Sequence, residues 1–178
     1  MFWSKTIIFL LCLVSGISGC TTLDKMTGRP VNEGNGYSID HDRKIYGGGV
    51  HIEYRDTEFL EREVKERMEN RMASESELQE ALKNIPAGGR IQIHYEATTI
   101  EAANTKWLEY VVLKDGEEVY RRDGSDDIAE TPTDYSGGIG FWWNIDIVDI
   151  REPITTPFEF IVISNLKNER DSFTISKP

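Results

Sequence analysis

The chain has 178 residues, of which 31 are acidic and 20 basic, for a formal net charge of −11 with histidine neutral. A polyanion is repelled by phosphates and by anionic lipid, which argues against nucleic acid as a partner and against a basic patch as a membrane contact. The length suits one domain with a substantial core, and the only cysteines are Cys12 and Cys20.

Residues 1–20 read MFWSKTIIFLLCLVSGISGC. Lys5 supplies a positive start, Ile7 to Val14 an apolar centre, and small residues follow. A charged start, a short apolar centre and a small-residue cleavage site make an export signal, and the run is well short of the ~20 residues of a spanning helix. The ending Ile17-Ser18-Gly19-Cys20 resembles the lipobox of bacterial lipoproteins. That resemblance implies a diacylglyceryl group on the Cys20 thiol, removal of residues 1–19 and acylation (typically with palmitate) of the new amino terminus. The resemblance covers address and anchor only, and no cofactor is expected of the rest of the chain. Thr21 stands where, in that class, an aspartate favours inner-membrane retention, so the implied address is the outer membrane, on its periplasmic or surface face. Two or three acyl chains hold a protein stably where one is marginal. With Cys12 removed and Cys20 acylated, no thiol is left for a disulfide, a metal site or a nucleophile.

Residues 20–49 read as the lipidated cysteine and a tether, rich in glycine (Gly28, Gly34, Gly36, Gly47 to Gly49) and without a sustained period. A flexible segment of this length reaches about 30 Å on average. Residues 50–178 read as one globular domain. Val50, Ile52 and Tyr54 alternate with His51, Glu53 and Arg55, which predicts a half-buried strand. From Thr57 to Met72 the apolar period lengthens: Leu60, Val64, Met68 and Met72 recur at every fourth position beside Phe59, predicting an amphipathic helix. Ser74 and Glu77 have the spacing of a capping box, restarting a shorter helix through Leu82 that Pro86 and Gly88-Gly89 end. Helices therefore occupy about 57–84.

The rest predicts strands. Ile91, Ile93, Tyr95 and Ala97 alternate with Gln92, His94 and Glu96. Trp107 to Leu113 and Glu117 to Arg122 flank Asp115-Gly116, a strong hairpin signal. Phe141 to Ile150 places Trp143, Ile145 and Ile147 on one side and Asn144 and Asp146 on the other. Phe158 to Ile163 is almost continuously apolar, as in a central strand, and Phe173 and Ile175 mark a last strand paired to it across Asn165–Asn168. The expected fold is mainly β: an antiparallel β-sandwich of about seven strands, Ig-like in architecture only, with a helical insertion between the first and second strands. The competing layout is a single antiparallel sheet with the long helix across one face.

The motifs of zinc proteases, serine hydrolases, P-loops and dinucleotide sites are absent, and the glycine-rich 136–140 precedes a strand instead of a helix. Three weaker constellations remain. His51, Glu53, His94 and Glu96 fall on the polar sides of their strands and would converge on a metal or acid–base site if those strands were neighbours, whereas His41 lies in the tether. Asp123, Asp126 and Asp127 crowd a loop whose hard oxygens suit calcium, although the spacing fits no EF-hand. Trp142 and Trp143 must point to opposite faces of a strand, so one indole enters the core. The other, near Phe141 and Tyr135, is either covered by the long helix or a binding platform for sugar or protein. The leading expectation is a non-enzymatic, lipid-anchored module binding an envelope protein or glycan. The alternatives are a polysaccharide or peptidoglycan hydrolase pairing Glu96 with Asp146 or Glu53, or a calcium-dependent binding module.

Overall fold

The computed structural model describes residues 31–45, 48–132 and 140–178. The export signal, Cys20, residues 21–30, 46 and 47 of the expected tether, Tyr135 and residues 136–139 lie outside the described residues. Asn32 to Pro178 form one compact unit.

The chain order is β1 (Ser38–Asp42), β2 (Gly48–Arg55), α1 (Thr57–Asn70), α2 (Glu75–Lys83), β3 (Arg90–Ala97), a single 3-10 turn (Thr105–Trp107), β4 (Leu108–Lys114), β5 (Glu117–Asp123), β6 (Trp142–Asp149), β7 (Phe158–Ser164) and β8 (Glu169–Ser176). Every strand pairing is antiparallel. One sheet has five strands in the order β1-β8-β7-β4-β5 and the other three in the order β2-β3-β6. Their inner faces share one core that includes Ile52, Ile93, Tyr95, Tyr110, Phe160 and Phe173. The fold is thus an antiparallel β-sandwich, and the single-sheet layout is set aside.

Local chemistry explains the turns. Asp115 and Gly116 both adopt positive φ, 53° and 83°, the geometry that joins two twisted strands through a two-residue loop. β7 is the middle strand of five, and Phe158, Phe160, Ile161 and Val162 are all buried on it. Asp56 caps α1 by accepting the Phe59 N–H at 2.8 Å. The capping box of α2 forms as read, with Glu77 accepting the Ser74 N–H at 2.8 Å.

The structure departs from expectation at the amino-terminal side. Ser38–Asp42, within the expected tether, pairs along β8 from Ser38↔Ser176 to Asp42↔Ser172. Asn32 to Asn35 run beside β2, with Glu33 bridged to Glu53 in parallel. The domain therefore begins near residue 32, and the helices fall between the second and third of the eight strands among the described residues. β1 escapes periodicity because only Ile39 and His41 turn inward on so short an edge strand, and one of them is polar.

His41 is far from unheld. Its ring stacks on Phe173 at 4.2 Å between centroids, and its Nε2 lies 3.1 Å from Oδ2 of Asp171. Asp171 is 0 % exposed, and its other oxygen accepts the backbone N–H groups of Lys44 and Ile45 at 2.5 and 2.7 Å. Burial alone would raise this carboxyl, but the His41 hydrogen bond and the two backbone N–H groups outweigh it and hold it below its ordinary 3.8. The carboxylate so fixes the chain where it leaves β1 in one sheet for β2 in the other.

Asp171→Ala leaves two N–H groups without their acceptor and is expected to cost about 3 kcal/mol in chemical denaturation. Since the folded value is depressed, this stabilisation is present above about pH 4 and is lost as the pH falls through the folded value.

At the end of α1, Met72 adopts φ 51° and is 94 % exposed. The Ala73 N–H donates to Met68 O at 3.0 Å and the Met72 N–H to Glu69 O at 2.9 Å, the Schellman pattern that favours glycine at this position. Met72→Gly should raise stability by about 1 kcal/mol, read as a higher denaturation midpoint at unchanged slope.

Candidate functional site on the outer face of the three-stranded sheet

The registers of β2, β3 and β6 arrange the outward side chains in rows. Gly49, Glu96 and Trp143 form one row; His51, His94 and Ile145 the next; then Glu53, Gln92 and Ile147; and last Arg55, Arg90 and Asp149. The last rows are knitted by ion pairs: Arg55 to Glu53 at 2.7 Å and to Glu63 of α1 at 3.2 Å, and Arg90 to Asp149 at 2.6 Å.

The first rows bring together most of the residues singled out on the polar sides of the strands. His51 and His94 are direct cross-strand partners. The His94 ring lies parallel to Trp143, 5.5 Å between centroids at 13°, and its Nε2 is 3.4 Å from Oε1 of Glu96. That hydrogen bond is the main reason the Glu96 carboxyl is held below its usual range, against the upward push of burial. His51 folds over Gly49, where an added Cβ would come within 3.0 Å of its Nε2, and the Arg43 guanidinium is close by. Burial pushes His51 down to about 4; nearby His94 and Arg43 act the same way, and Glu96 opposes them. At neutral pH His51 is therefore uncharged.

Glu53 does not join this group. It binds Arg55 and accepts from Asn35 Nδ2 at 3.0 Å. Among the described residues, no group of three or more His, Cys, Asp or Glu side chains is disposed to hold a metal ion. The carboxylate pairings expected of a hydrolase are not formed either. Asp146 pairs in register with Ile93 and turns to the interior with it, whereas Glu96 faces outward. Glu53 lies opposite Gln92, four positions from Glu96 along the sheet, a spacing of ~13 Å at ~3.3 Å per residue that exceeds the ~9.5 Å limit for such pairs.

The two tryptophans divide as the strand period requires. Trp142 packs against the core, and Trp143 takes the outer face, its Nε1 donating to Thr131 O at 3.1 Å. The helices leave this face open beyond Trp143: Ile145 and Ile147 are 40 % and 45 % exposed. β6 therefore reverses the ordinary arrangement, with Asn144 and Asp146 inside and two isoleucines outside. The inner polar groups explain it. Asp146 accepts from Arg122 at 2.6 Å and from the Ser125 N–H at 3.0 Å, and Asn144 donates to Asp127 O at 2.9 Å. The sequence signal was a period-2 strand whose apolar side need not be the core side.

In the acidic loop, Asp126 accepts from Asn104 Nδ2 at 2.8 Å and lies 3.5 Å from Lys106 Nζ. Asp127 contributes its backbone carbonyl to Asn144, as Asp123 does to Arg122 at 2.7 Å. These contacts pin the loop to the sandwich; its carboxylates do not gather around one point among the described residues.

Comparison of the chain with models of protein families, with curated proteins and with solved structures gives no match.

The depressed His51 makes the domain sensitive to mild acid. Its folded value, about 4, is below the ordinary 6.5, so the stabilisation is complete above about pH 6.5 and is lost as the pH falls toward 4. The loss should be on the order of 2–3 kcal/mol, seen as a falling melting temperature. In His51→Gln the slope over that interval should flatten, while the steeper loss below pH 4, to which Asp171 contributes, should remain.

Proposed function

We propose that the protein is an exported lipoprotein, anchored to the outer membrane through acylated Cys20, and that its β-sandwich is a non-enzymatic binding or adaptor module for an envelope protein or glycan. The observation that carries this reading is the open strip on the outer face of β6. Trp143, Ile145 and Ile147 stand in line on an edge strand, the two isoleucines 40 % and 45 % exposed, beside the neutral His51 and the His94–Glu96 pair. An aromatic with adjoining aliphatic side chains and a few polar groups is the composition of an interface centre. The same strip suits a sugar ring, which stacks on an indole while a carboxylate takes its hydroxyls.

The strip does not invite a further strand. The Trp143 N–H and carbonyl are both bonded to Glu130. The Ile145 N–H is taken by Asn144 Oδ1 at 2.9 Å and the Ile147 N–H by Asp146 Oδ1 at 2.7 Å. An edge whose donors are capped by its own side chains resists strand addition, so the binding mode proposed is through side chains on the face.

The test is a photo-crosslinking residue at Ile147 in the full-length protein in cells, with the same residue at Met72 as a control on the helical hairpin. One stoichiometric envelope protein captured from position 147 and not from 72 supports a protein partner. Co-sedimentation with purified envelope polysaccharide, weakened at least about tenfold by Ile147→Asp or Trp143→Ala, supports a glycan. If neither capture from position 147 nor polysaccharide binding is seen, the reading of this face is overturned. Cys20→Ala should abolish lipid labelling and release the protein from the membrane fraction; retention of both would overturn the anchor.

A further inference from the structure

A second feature lies on the opposite flank of β6's carboxyl end and is independent of the face just described. The seam between β5 and β6, the edges of the two different sheets, is bridged by Arg122. Its guanidinium holds Asp146 and the Ile147 carbonyl. Past that bridge the seam opens into a cleft of about 540 Å³ between β5 and the segment following β6, within the ~300–1,000 Å³ range of small-molecule sites. Its apolar wall comprises Val119, Tyr120, Ile150 and Ile154. Ile150 is 2 % exposed and belongs to the core, and Tyr120 and Ile154 pack against it, so the floor of the cleft is the hydrophobic interior itself. Val119, by contrast, is 46 % exposed at the mouth.

Lys114 and Arg151 line the cleft together with the single carboxylate Glu152, in a protein of net −11. Lys114 is occupied by Pro157 O at 2.9 Å and by Asp115 at 3.3 Å. Arg151 has no ion pair among the described residues, which leaves a guanidinium free beside an apolar slot. An apolar space that reaches from the core to a cation favours a molecule with one hydrocarbon chain and one anionic end: the chain gains ~0.8 kcal/mol per buried methylene, and the head group accepts the guanidinium's paired N–H donors.

We propose that this cleft binds a single-chain anionic amphiphile, a fatty acid or a lysolipid, with its hydrocarbon chain between β5 and the Ile150–Thr155 segment and its head group on Arg151. A bound chain fills the open part of the seam that Arg122 closes at its other end.

The full chain carrying Cys20→Ala, so that acyl groups of its own do not compete, is titrated with cis-parinaric acid, a fluorescent fatty acid, and in parallel with its uncharged methyl ester. The expected result is saturation at one molecule per chain with a Kd on the order of 10 µM or tighter. Val119→Asp should weaken both ligands at least about tenfold. Arg151→Gln should weaken the acid about fivefold and leave the ester unchanged. Ile145→Asp, on the outer face, should change neither. Should Val119→Asp shift the melting temperature, Val119→Trp takes its place; it fills the slot with apolar volume and should abolish binding. Displacement of the probe by a lysophospholipid at similar concentration would extend the class to lysolipids, and failure to displace it would confine the site to fatty acids. Absence of saturable binding, or binding that Val119→Asp and Val119→Trp both leave intact, would overturn the site. Equal affinity for acid and ester, untouched by Arg151→Gln, would overturn the anionic head group.

Discussion

The sandwich is held shut by a carboxylate in its interior. Asp171 is fully buried on β8 and turns its two oxygens toward the far side of a chain crossing, one to His41 and the other to the N–H groups of Lys44 and Ile45. A buried charge is tolerated only where such bonds replace the water it has lost. Here they fix the point at which the chain passes from the five-stranded sheet to the three-stranded one, just ahead of β2. The stacking of His41 on Phe173 ties the same clasp to the core. The only cysteines are Cys12 and Cys20, so no disulfide fastens the domain and this crossing depends on side-chain chemistry alone.

A later crossing, from β5 to β6, repeats the device with a different partner. Asp146 is buried on β6 and is met by Arg122 from β5 and by the Ser125 N–H from the connecting loop. Arg122 in turn lies over the Tyr110 ring at 4.9 Å. The consequence reaches the surface. Because Asn144 and Asp146 are committed to the interior, the residues that alternate with them must face outward, and those residues are Ile145 and Ile147. The exposed strip on β6 is therefore the other side of a structural requirement in the seam. That requirement does not oblige the outward residues to be apolar, since a polar residue there would serve the fold equally well. Their apolar character is left to be explained by what touches the face.

Much of this was legible in the sequence. Period-2 alternation located β2, β3 and β6, the Asp115-Gly116 pair located the β4–β5 hairpin, and the almost continuous apolar run of β7 announced its central place. The long apolar period and the Ser74–Glu77 capping box located the two helices. What escaped are features set by contacts distant in sequence. β1 has too few apolar residues to show a period, and its place depends on β8, whose pairing partners lie over a hundred residues away. Glycines around it suggested a tether, yet Gly48 is used for close approach, since a Cβ there would come within 1.9 Å of the Glu96 carbonyl. The neighbourhood of His51 and His94 was legible as a conditional, needing only the β2–β3 pairing to be realised. The orientation of β6 was not, because alternation gives two sides of a strand without saying which of them is the core.

A domain boundary near Asn32 also changes what an anchor at Cys20 would permit. Residues 20–31 fully extended span at most ~40 Å, against ~100 Å for residues 20–49 at ~3.5 Å per residue. On the proposed anchoring, the sandwich then works close to the bilayer instead of reaching across the envelope for a distant partner. Two features make sense there. An outward strip of Trp143, Ile145 and Ile147 serves a partner met near the membrane surface, and an apolar cleft with a free guanidinium at its mouth is supplied with single-chain lipids by the same bilayer. Both open on either side of β6, the strand whose inner polar residues join the two sheets. A ligand that widened the seam beside Ile150 would bear on the strand that carries the strip, and the closeness of the two sites follows from the reversed β6 itself.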